Sequence, residues 1–159
     1  MVNATIDDSS KIINYTGFAT GGNQNRTILP DDLVGRSRDN TLSYTATRYA
    51  TATLSFTGAP MIIRSTMYRS HELGLVLGTA VEIVGPVGPT LSTYTLTVDG
   101  QNTLTYNASA PVFVAQQTLG FLTGLVQQEH TLFIRNEVEG MGLALDSFNV
   151  WGQGVACFG

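Results

Sequence analysis

Cysteine is almost absent from this chain. Cys157 is the only one, so no disulfide can form within the chain, and the fold must rely on its core or on a metal. Cys157 itself reads as an unpaired, partly buried thiol, with a bridge to another chain as the alternative. Charge is thin too: 13% of residues are charged, about half the usual share. Lys11 is the only lysine and the net charge is −4, so there is no basic stripe to attract nucleic acid or an anionic membrane. Apolar runs such as Leu73–Leu77 are far too short to span a bilayer. No basic segment followed by an apolar one opens the chain, so no signal peptide is expected in it. Histidine occurs only as His71 and His130, which with a single cysteine is too little for a zinc site. Gly-x-Ser-x-Gly, His-Glu-x-x-His and a phosphate-cradling Gly-Lys pair are all missing, so no common catalytic motif supports an enzyme.

What the chain has is threonine, serine and a period of two. Hydrophobic residues make up 43% of its 159 residues, enough for one compact domain over residues 1–159. β-Branched residues suit a pleated, half-buried surface. Ala50–Phe56 and Thr93–Val98 alternate cleanly, and Ile12–Phe18, Met61–Tyr68, His130–Asn136 and Leu143–Trp151 read as further strands. Leu73–Val84 reads as a buried strand, and Val112–Ala115 as a short segment. Leu119–Leu125 is ambiguous. Asp99-Gly100 predicts a tight hairpin before Thr103–Tyr106. Gly21–Asn40 reads as a long polar loop and Gly85–Pro89 as a firm one. No long helix is expected. Strands at this spacing predict an all-β sandwich.

Three segments together resemble a known group. Ala4–Asp8 with Ile13–Phe18, Ala50–Gly58, and Glu129–Leu132 with Leu145–Val150 are similar to extracellular galactose-binding-like domains of mushroom-forming fungi. Tyr94–Gly100 is similar to their hairpin. Phe18 stands where those domains usually have Trp, Arg48-Tyr49 replaces a Pro-Gly-type turn, and residues 69–90 run longer. The resemblance implies a jelly-roll β-sandwich related in shape to carbohydrate-binding modules. It also implies a structural ion between the first and last strands.

The residues offer candidates of their own. Asp7, Asp8 and Asp146 lie in the first and last strands, and if those strands are neighbours the converging carboxylates need a cation or a proton. They are the candidate Ca²⁺ ligands, because that ion takes six to eight oxygens. Their alternative is turn capping by Asp7 and Asp8, with Asp146 solvated or paired. A sugar site needs aromatic faces and planar polar groups. Tyr49, Tyr68 and Trp151 could stack, and Arg36, Arg38, Asp39, Asn40, Arg69, His71 and Glu72 could bond hydroxyls. Trp151 could equally cover the sandwich end. His130 reads as a packed, hydrogen-bonded imidazole. Sequons at Asn3, Asn14, Asn25 and Asn107 point to glycosylation and to a secreted or cell-surface location. Glu72, Glu82, Glu129, Glu137 and Glu139 could form a glycosidase pair only at a suitable separation. The leading expectation is a secreted, non-catalytic, lectin-like module that binds a glycan or cell-wall polysaccharide. The alternative is a cell-surface module that self-associates or binds protein. A small hydrolase comes last.

Overall fold

The computed structural model of the chain describes residues 2–19, 29–57, 76–126 and 128–154. These residues form eleven strands: β1 (Val2–Asp7), β2 (Ile13–Thr16), β3 (Ser43–Thr45), β4 (Thr51–Thr57), β5 (Val76–Val87), β6 (Thr93–Val98), β7 (Gln101–Asn107), β8 (Val114–Thr123), β9 (Glu129–Asn136), β10 (Leu143–Leu145) and β11 (Ser147–Gly154). One short helix, α1 (Asp31–Gly35), and a 3-10 turn at Arg38–Asn40 precede β3. No helix among the described residues is long and apolar enough to cross a membrane.

Alternation decides the layers. In β9, His130, Leu132, Ile134 and Asn136 are buried while the residues between them are not. Ala52, Leu54 and Phe56 of β4 and Tyr94 and Leu96 of β6 join them. This is the inner face of a five-stranded antiparallel sheet, ordered β2-β4-β9-β6-β7. The facing sheet has four strands, β1-β11-β5-β8, and contributes Ile6, Val81, Ile83, Leu119, Phe148 and Val150. The result is a jelly-roll β-sandwich, as expected from the sequence. The sheets touch closely at Gly120, where an added Cβ would lie 2.4 Å from the Leu96 side chain of the opposite sheet. The buried Tyr94 hydroxyl donates to the Leu119 carbonyl, again across the two sheets.

Several expectations need correction. The final strand is not continuous. Leu143–Leu145 pairs with β3 in a separate two-stranded sheet, and β11 then joins the four-stranded one. Asp146 stands at the break, and its amide donates to the Val84 carbonyl at 2.9 Å. The apolar positions change phase across it, from Leu143 and Leu145 to Phe148 and Val150, and residues 143–148 are all buried. Gly85–Pro89 is a loop only at its end, because β5 runs on to Val87 with a register shift at Gly85/Val87 and Pro89 then lies in a turn. Such a bulge is where a strand tolerates proline. An added Cβ at Gly85 would meet the Ala144 carbonyl at 2.4 Å. Val112–Ala115 and Leu119–Leu125 belong largely to one strand, β8. Within the expected polar loop, Leu29, Leu33 and Val34 are buried, and a five-residue helix is too short to show its period. The expected strand Met61–Tyr68 and Cys157 lie outside the described residues.

Candidate functional site

The acidic ends meet. β1 and β11 are antiparallel neighbours, with Asp7 opposite Ser147. The Asp8 amide donates to the Asp146 carbonyl at 2.9 Å. One carboxylate oxygen each from Asp7, Asp8 and Asp146 lies within 4.8 Å of the others. Asp8 is 0% exposed and Asp146 1%.

Donors fix the group. Asp8 accepts from the Thr41 hydroxyl at 2.6 Å and from the Ser43 hydroxyl at 2.7 Å. Asp146 accepts from the Arg38 amide at 2.8 Å through Oδ1, while its buried Oδ2 has no partner. Asp7 accepts from the Ser9 amide at 3.0 Å. None of the ion pairs among the described residues includes the three acids. Burial, reinforced by the neighbouring carboxylates, pushes the Asp8 carboxyl up to about 6 despite its two hydroxyl donors. Burial raises Asp146 as well. The cluster thus gathers oxygens and costs Coulomb and desolvation energy as it stands.

The 3-10 turn forms the rim beside the cluster. Arg38, Asp39 and Asn40 are exposed, and Asp39 and Asn40 take positive φ of 49° and 57°. Arg36 sits earlier and pairs loosely with Asp32 at 3.6 Å on the surface. Tyr49 lies elsewhere, beyond the far end of β3, and is 54% exposed with φ of 65°. The Arg48 and Arg135 guanidinium carbons lie 4.6 and 5.2 Å from its ring centroid, so cations already occupy that aromatic surface. Trp151 neither ends a strand nor covers the sandwich end. It sits within β11 opposite Asn3 and Ala80, and its ring meets Phe121 edge-on at 5.4 Å. Tyr68, Arg69, His71 and Glu72 lie outside the described residues.

His130 is a packed side chain. It is 2% exposed, with Asp99 at 2.7 Å from Nδ1 and the Val126 carbonyl at 2.7 Å from Nε2. That hydrogen bond is the main cause holding the Asp99 carboxyl below its usual range. Of the five glutamates weighed as acids, Glu137 is tied to Arg135 at 2.8 Å and Glu82 to Asn149 at 2.9 Å. Asn14 and Asn107 are exposed. The Asn107 carboxamide oxygen accepts from the Ser109 amide at 2.9 Å. Asn3 lies in β1, and Asn25 lies outside the described residues. Sequence reasoning missed Thr41 and Ser43 as partners of Asp8. A hydroxyl every second residue leading into a strand was the available signal.

No family model matches the sequence, and no curated protein is detectably similar to it. Solved structures do match. The CBM35 domain of Cellvibrio japonicus Abf62 superposes with a TM-score of 0.60 at 13% identity, over 99% of this chain and 100% of that one. The CBM36-1 domain of a multidomain xylanase from the hindgut metagenome of Trinervitermes trinervoides gives 0.53 at 13% identity, over 97% and 100%. A family two carbohydrate esterase from Cellvibrio japonicus gives 0.59 at 13% identity. The match covers 96% of this chain and 34% of the esterase, so the chain spans about a third of that enzyme's length. At these identities the likeness is one of fold: the chain has the jelly-roll sandwich seen in carbohydrate-binding modules.

Proposed function

We propose that the chain is a non-catalytic, extracellular carbohydrate-binding module whose first and last strands are stapled by Ca²⁺ at Asp7, Asp8 and Asp146. The carbohydrate reading rests on the likeness, over nearly the whole chain, to two carbohydrate-binding domains whose structures were solved by themselves. The ion rests chiefly on the buried, unpartnered Asp146 Oδ2 beside two further carboxylates. The donor set suits a hard cation, because every candidate ligand is an oxygen, with carbonyls or water completing the shell. The resemblance to fungal surface domains suggests the setting, and exposed Asn14 and Asn107 would carry glycans there. The glycan itself is an unidentified polysaccharide.

A two-part experiment tests this reading. Thermal melts after EDTA, then with Ca²⁺ restored, should show a melting temperature that climbs with Ca²⁺ concentration. A broad glycan panel should show binding that reductant leaves unchanged. Flat melts remove the ion, and a blank panel removes the module.

Self-association is the second reading. Val112 is 65% and Val114 39% exposed at the start of β8, an apolar pair next to the edge of the four-stranded sheet. Light scattering across concentration separates a monomer from an assembly.

A further inference from the structure

The outer face of the four-stranded sheet carries a row of polar side chains already bonded to one another. The Thr5 hydroxyl of β1 donates to Asn149 Oδ1 of β11 at 2.8 Å. Asn149 Nδ2 donates to Glu82 Oε2 of β5 at 2.9 Å. The Thr118 hydroxyl of β8 donates to Glu82 Oε1 at 2.5 Å. The row therefore crosses all four strands, a span of about 14 Å for three inter-strand gaps. Register places Phe121 directly opposite Glu82. Phe121 is 51% exposed and packs edge-on against Trp151, two residues along β11 from Asn149. A depression of about 280 Å³, lined by Arg38 as well as by Glu82, Thr118 and Asn149, opens beside this row.

We infer that this sheet face is the glycan-binding surface, and that it takes a neutral polysaccharide chain laid across the strands. The inference rests on the carbohydrate reading above. A pyranose ring has an apolar face and a rim of hydroxyls, and it needs an aromatic surface beside planar polar groups. Phe121 with Trp151 provides the first, and Glu82 with Asn149 the second. Each Glu82 oxygen is held by one neighbour and keeps a lone pair for a sugar hydroxyl. Because these rotamers are fixed before binding, little side-chain entropy remains to be lost.

Other occupants fit less well. Strand addition requires an unpaired edge, whereas this is a face whose backbone groups are used within the sheet. A stable protein interface buries about 800 Å² per partner, and the row offers only one aromatic pair. Glu82 carries the only charge in the row and Arg38 lines the adjoining depression, so the face holds no excess of positive charge to select an acidic polysaccharide.

Calorimetric titration with xylohexaose, mannohexaose, cellohexaose and laminarihexaose, and with polygalacturonate as the anionic comparison, tests the site. At least one neutral hexaose should bind. Phe121→Ala and Glu82→Gln should each weaken it about tenfold, while Tyr49→Ala binds as the parent does. Both site positions are at the surface, and a melting curve for each variant checks that it is folded. If the parent binds but both site variants stay within twofold of it, the sheet-face site is overturned and the module reading survives. Tighter binding of polygalacturonate than of any neutral chain also overturns it. If the parent binds none of the five, the carbohydrate reading falls and this site with it.

Discussion

Asn136 shows how much one polar side chain can hold. It is 0% exposed, and its carboxamide nitrogen faces the carbonyls of Thr47, Val138 and Met141 at 3.0 to 3.1 Å. The backbone bonds around it tie the Tyr49 turn to the end of β9. Replacing it with alanine leaves buried carbonyls without donors, so Asn136→Ala should cost about 3 kcal/mol in denaturant unfolding. Asn136→Asp should cost more, because a carboxylate would then face carbonyls. Asp8 makes a pH-dependent case. Burial lifts its folded carboxyl to about 6, above the 3.8 of a free aspartate, so between these values the folded state binds more protons than the unfolded one. Metal-free stability should therefore fall as pH rises from about 4 to about 6 and then level off, by on the order of 2 to 3 kcal/mol. With Ca²⁺ the sign reverses, because the ion takes only the deprotonated carboxylates. Melts at pH 5 and pH 7, with EDTA and with Ca²⁺, should show a larger Ca²⁺ increment at pH 7. Asp146→Asn should raise the metal-free melting temperature at pH 7 and abolish the Ca²⁺ increment. The acids themselves were visible in the sequence as matching ends. Their burial was not, because it depends on Thr41 and Ser43 arriving from a segment more than thirty residues away in the chain.

Elements were legible where their cause is local. The β6–β7 hairpin is such a case. Val98 faces Gln101, and Asp99 and Gly100 between them take φ of 54° and 69°, as a two-residue turn matched to strand twist requires. A Cβ at Gly100 would meet nothing within 4 Å, so Gly100→Ala should cost only the left-handed backbone, about 1 kcal/mol by thermal melt. Asp99 also accepts from the Thr131 amide at 2.8 Å, which ties the turn to β9. Elements whose cause is distant were not legible. The break at Asp146 exists because β10 pairs with β3 and β11 with β1 and β5, a choice written in other strands. Phe121 and Glu82 likewise looked like an ambiguous apolar segment and a surface acid. Only cross-strand register sets them side by side.

For the whole molecule, alternation and turn residues were enough to read the sandwich, because burial on one face of each strand dictates two layers. The site was half legible. The sequence identified Trp151 as a stacking candidate but placed it near a strand end, whereas β11 carries it onto the open sheet face. The acidic cluster now gains a further meaning from the order of β1. Residues 2 and 152 face each other at one end of the β1–β11 ladder, and Asp7 faces Ser147 at the other. A pull on those two positions enters the ladder at its open end. Its bonds would then part pair by pair, as in a zip, and not all at once in shear. Tension would reach the three carboxylates last. An ion held there would act as the stop of the zip, and a force-extension trace with Ca²⁺ should show a late, higher rupture that EDTA removes.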